Sequence, residues 1–202
     1  MEACLRTAFN IPPRIYVPID PDTLTSDAEI VWHEAGHATV SELLTPGSVA
    51  LVLARADDEG NGGSTTYREI DRNSTVKPWE RGILVSLAGR AAVELRFGTL
   101  DSGASEDLDK VFREVGNYIE NLCGSGFALH DPEYRSSESL LERQELATAA
   151  EVERNYRKVK EMLCANMGFL EALARALAEK GVLTAADIRA IRERCAVTKL
   201  AG

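Results

Sequence analysis

No apolar run in this 202-residue chain approaches the ~20 residues that a membrane-crossing helix needs. Its first twenty residues, MEACLRTAFNIPPRIYVPID, also lack the continuous apolar segment of a secretory leader. Neither a membrane span nor a signal peptide is therefore expected. A basic patch is missing as well. The 23 Lys and Arg are outnumbered by 32 Asp and Glu, the net charge is −9, and the cations are scattered, so nucleic acid is not an expected partner. Cysteine is sparse and unpaired in pattern. Cys4, Cys123, Cys164 and Cys195 form no C-x-x-C, which argues against a cysteine zinc knuckle and for reduced thiols in a cytoplasmic protein. Low-complexity segments and internal repeats are also lacking. What is present, 45% apolar residues, suffices for one folded domain or one domain with a helical appendage.

Proline and glycine punctuate the chain. Pro12, Pro13, Pro18 and Pro21 mark residues 1–24 as an extended arm. A helix is expected from a capping-box pattern, Ser26-x-x-Glu29, with Ile30, His33, Glu34, His37, Val40 and Leu44 at helical spacing and Pro46-Gly47 as its stop. Two strands, VALVLARA (49–56) and STTYREI (64–70), flank the turn-forming DDEGNGG. A helix over 77–97 contains LAGRAAVEL, whose small residues allow close approach of another helix or a metal site. The next helix carries an apolar stripe of Leu108, Val111, Phe112, Val115, Tyr118, Ile119 and Leu122. Beyond the loop 124–137 the pattern gives a long charged helix over 138–166 and shorter ones over 168–180 and 184–195, the last capped by Thr184. The expected fold is mainly α (α+β), with a small sheet beside a zincin-like metal helix and a C-terminal helical bundle. The expected division is an arm (1–24), a core (25–130) and a helical region packed on it (131–202).

Two of the three histidines fall in VWHEAGHATV, residues 31–40. Residues four apart share a helix face, so His33 and His37 can aim two imidazole nitrogens at one point, with Glu34 at its edge. Zinc accepts imidazole readily, and a catalytic zinc uses three protein ligands plus a water. Such an ion makes that water nucleophilic near neutral pH, and an adjacent carboxylate can move its proton. H-E-x-x-H thus reads as one chemical unit, although two histidines on a half-buried helix can equally be packing residues. A third ligand is needed. His130, in a loop before Asp131-Pro132, reads as a solvated histidine. The carboxylates Glu94, Asp101, Glu106, Asp107 and Asp109 remain, and Glu106 and Asp107 also suit a helix first turn. Spacing does not choose among the five.

HEAGHA (33–38), SLAGRAAVELRFG (86–98) and SGASEDL (102–108), in this order and at these separations, resemble the peptidase domain of the FtsH family of zinc proteases, peptidase family M41. The resemblance runs from about residue 27 to the end. It implies a Zn2+ ion held by His33, His37 and Asp107, with Glu34 as general base. Glu94 would be a second choice, either supporting a ligand or rivalling one. Ser102, Glu106 and Val93 depart from the threonine, asparagine and glutamate usual in the family, and Glu106 adds negative charge beside the implied ligand. Family members also carry membrane segments and an AAA+ ATPase, whereas this chain holds no P-loop.

The resemblance therefore implies a zinc endopeptidase for flexible or unfolded polypeptides, with an AAA+ ATPase possible in trans and homo-oligomers, rings or dimers, possible through the C-terminal helices. Either 49–56 or 64–70 could be the edge on which an extended peptide lies. The alternatives are strands that only cover the core, and a non-catalytic, metal-bearing peptide-binding or oligomeric module.

Overall fold

The computed structural model describes residues 16–54, 62–68, 78–100, 102–131 and 137–198. Six α-helices and a three-stranded sheet are found among them: α1 (Ser26–Leu44), β1 (Val49–Leu53), β2 (Ser64–Tyr67), α2 (Pro78–Phe97), α3 (Ser105–Glu120), α4 (Glu138–Ala165), α5 (Met167–Lys180), β3 (Val182–Thr184) and α6 (Ala185–Arg194). The mainly helical fold with a small sheet is the one the sequence leads one to expect.

Helix α1 is the centre of the molecule. From Val31 to Glu42 only His33 escapes the buried class, so this helix is covered on all sides, by α2, α5 and the sheet. Its N-cap is Thr25, whose hydroxyl accepts from the Ala28 amide, and not the Ser26 of the capping-box pattern. Thr25 has the extended backbone a cap requires, while Ser26 is already helical. Close packing of α1 on α2 depends on Gly36, where a Cβ would lie 2.4 Å from the Ala88 carbonyl oxygen. The stripe on α3 is narrower than expected. Val111, Val115 and Ile119 are buried, but Phe112 sits one position around the helix and Leu122 lies past its end, and both are exposed. Helix α4 packs across α2 and α3.

The sheet order is β2-β1-β3, antiparallel throughout. β1 is paired on both sides, so 49–53 cannot be a free edge; β2 is the edge strand on the side of α1 that carries Glu34. β3 was not expected. Its three residues are too few to show alternation, and Leu183 alone is buried. Pairing of β3 with β1 ties residues near the end of the chain into the same core as α1. Within the arm, residues 16–24 form no helix or strand and are strapped to the body. The Ile19 amide and Tyr16 hydroxyl donate to the Ala178 carbonyl, and Trp32 Nε1 donates to Pro21. Residues 1–15 and most of DDEGNGG lie outside the described residues.

Candidate metal centre

One turn of α1 presents His33 and His37 on the same face, and the start of α3 brings Asp107 against them. His33 Nε2 and His37 Nε2 are 2.8 Å apart, and Asp107 Oδ2 lies 3.3 and 3.1 Å from them respectively. Among the described residues these three form the one group of His, Cys, Asp or Glu that could hold a metal ion. His37 Nδ1 sits 2.7 Å from the Val85 carbonyl oxygen of α2. Because that carbonyl can only accept, it takes the hydrogen bond from the Nδ1 proton and turns Nε2 toward the centre of the cluster.

Electrostatics make the same point. A neutral imidazole lone pair and a carboxylate converging within about 3 Å repel unless a proton or a cation stands between them. Burial pushes the Asp107 carboxyl upward. Hydrogen bonds from His33 and His37, with their positive charge, outweigh this and hold it well below the usual carboxylate range. Two imidazole nitrogens and one carboxylate oxygen converging from two helices form a donor set that suits a small divalent cation such as zinc.

The ring of His33 is seated by a glycine. A Cβ at Gly89 would stand 2.5 Å from His33 Cε1, so the A-G-R segment of α2 must be bare there for the ring to pack. Glu34, buried at 6% exposure, points toward the sheet, where Thr65 Oγ1 donates to its Oε2 at 2.6 Å. A Cβ at Gly63 would collide with Glu34 Cγ at 2.5 Å, so the approach of β2 requires that glycine. The open side is a cleft of about 810 Å³, lined among others by His33, Glu34, His37, Thr65, Tyr67 and Asp107.

Relatives of known name resemble this chain over most of its length. The chain is 32% identical over 187 residues to "ATP-dependent zinc metalloprotease FTSH 11, chloroplastic/mitochondrial" of Arabidopsis thaliana, a match covering 88% of this chain and 22% of that protein. It is 29% identical to "ATP-dependent zinc metalloprotease FtsH 2" of Symbiobacterium thermophilum (80% of this chain, 29% of the relative) and 29% identical to the FtsH of Methylococcus capsulatus (86% and 31%). Over most of its length the chain is similar to FtsH zinc metalloproteases. It spans less than a third of the length of these relatives. No protein-family model matches it.

The other candidate carboxylates lie apart from the cluster. Glu94, in α2, accepts from Tyr156 at 2.5 Å and Lys160 at 2.8 Å, both on α4, and does not line the cleft. Glu106 lines the cleft as an exposed residue, and Asp109 is exposed outside it. Asp101 lies outside the described residues. His130 is exposed, with Nδ1 3.0 Å from the Glu120 carbonyl oxygen. Sequence reading missed Thr65, Tyr67, Gly63 and Gly89 as parts of the site. Only the G-G-S-T run and the small residues of α2 signalled them, and neither names a partner without the fold. No helix among the described residues is long and apolar enough to cross a membrane.

Proposed function

We propose that this chain is a zinc-dependent endopeptidase, with His33, His37 and Asp107 as metal ligands and Glu34 as general base. The observation that carries this reading is the convergence of His33 Nε2, His37 Nε2 and Asp107 Oδ2 beside a buried Glu34 in one open cleft. Names of the relatives support the metal and the reaction type. When bound, the zinc would supply Lewis acidity and lower the pKa of a water at this point to about 7.

The chain's own residues would do the rest. Val85, through its carbonyl, orients His37. Thr65 holds Glu34 beside the ligands, where it can take a proton from the attacking water and pass it to the leaving amine. β2, exposed along most of its length at the edge of the sheet, offers backbone groups to an extended peptide, and this favours flexible or unfolded polypeptides as substrate. An AAA+ ATPase acting in trans and assembly into homo-oligomers follow from the family and are part of the proposal. So is a cytoplasmic location, which suits the free thiols of Cys123, Cys164 and Cys195.

The decisive experiment measures casein cleavage and bound zinc together, for the wild type, for chelator-treated protein and for Glu34→Gln. The expected result is zinc bound by both proteins and cleavage by untreated wild type alone. Cleavage that survives Glu34→Gln would overturn the mechanism. Zinc and peptide bound without turnover would favour a metal-bearing capture module instead.

A further inference from the structure

Tyr67 closes β2 and lines the cleft, yet the proposed reaction gives it no part. Alternation along a strand puts residues two apart on one face. Thr65 and Tyr67 accordingly both line the cleft while Thr66 does not, and Thr65 is already in contact with Glu34. The Tyr67 hydroxyl has no hydrogen-bond partner among the described residues. It does feel the site. Desolvation raises its pKa well above the ordinary phenol value, the negative charges of Glu34 and Asp107 raise it further, and Arg81 opposes them. The phenol therefore keeps its proton throughout the neutral range, as a standing hydrogen-bond donor.

Resting on the peptidase reading above, we infer that Tyr67 donates a hydrogen bond to the oxygen of the scissile carbonyl as negative charge develops on it. In that step the water oxygen bonds to the carbonyl carbon, the C=O π pair moves onto the carbonyl oxygen, and the water proton goes to Glu34. Tyr67 shares its proton with the new oxyanion but does not transfer it. When the C=O re-forms, the C–N bond breaks and Glu34 delivers its proton to the amine. A donor preplaced where charge develops stabilises the transition state more than the ground state. Placing it on β2, the strand proposed to hold the peptide, couples substrate register to this contact.

The test compares wild type, Tyr67→Phe and Glu34→Gln, each zinc-loaded. Removing an unbonded hydroxyl leaves the ring, so folding is not at stake. Tyr67→Phe is expected to lower kcat roughly 10²-fold, with KM and zinc content unchanged. A phosphinic peptide, which mimics the tetrahedral geometry, should lose affinity by a comparable factor. The matching substrate peptide, measured on Glu34→Gln with and without Tyr67→Phe, should lose less than about twofold. Equal losses for both ligands would make Tyr67 a pocket wall and overturn the inference, as would an unchanged kcat. A wild type that binds zinc but cuts nothing would instead overturn the underlying peptidase reading, and this inference with it.

Discussion

Thr65 on β2 donates its hydroxyl proton to Glu34 Oε2 across 2.6 Å, joining the edge strand to the carboxylate beside the two imidazoles. Glu34 is buried, so its rotamer is set by this bond and by the bare backbone of Gly63. Thr65→Val keeps the shape and removes the donor. A hydrogen bond to a charged group contributes ~1.5–3 kcal/mol, which corresponds to a loss of about 10- to 150-fold in kcat/KM. Thr65→Ser should recover most of it, and zinc content should match wild type in both variants. Steady-state kinetics with elemental analysis would check this, and an unaffected Thr65→Val would remove Thr65 from the machinery.

Gly89 predicts a different failure. Its missing Cβ makes room for the His33 ring, so Gly89→Ala must push that ring away from His37 and Asp107. The helix itself gains ~0.5–1 kcal/mol from alanine, but overpacking costs ~1–3 kcal/mol. The expected result is a drop in zinc affinity of at least tenfold with a small loss of thermal stability. Competition with a chromophoric chelator would measure it. Wild-type affinity would show that His33 can give way without cost.

Much of this was readable from residue types and spacing because it is local. His33 and His37 are one helical turn apart, so their shared face follows from the helix period alone. Thr184 announces α6 in the same way, with its hydroxyl and the Asp187 carboxylate closing a complete capping box. Contacts between elements were not readable. Spacing left five carboxylates open for the third position, and only the fold shows that Asp107 lies against the two imidazoles; β3 shows no pattern because three residues cannot alternate visibly. The chemistry of Thr65 and Tyr67 also required the sheet, since either residue in a strand could have faced outward.

Glu94 tests whether helix packing and metal binding are separable. Its carboxylate is held below the usual range by hydrogen bonds from Lys160 first and Tyr156 second, against a smaller opposing effect of burial. A depressed carboxylate contributes stability that is present above its unfolded value near 4.5 and lost as pH falls below it. Glu94→Gln should therefore lower Tm modestly at pH 7, and the gap between variant and wild type should narrow below about pH 4.5. Bound zinc should not change. Loss of zinc in Glu94→Gln would show that Glu94 acts on the site after all.

Metal removal gives the last expectation, because it reads the ligand set through stability instead of turnover. An ion that binds the folded chain and not the unfolded one stabilises by about 2.7 kcal/mol at a hundred times its Kd. The wild type should melt several degrees lower after chelation, and readdition of zinc should restore it. In Asp107→Asn the carboxamide still offers an oxygen but no charge, so it should hold zinc more weakly and respond less. The substitution also removes the carboxylate that lies 3.1 and 3.3 Å from the two imidazoles. Thermal melts of both proteins at neutral pH, with chelator and with zinc, measure the two responses. A chelator-insensitive wild type, or an Asp107→Asn that responds to zinc as wild type does, would take Asp107 out of the ligand set.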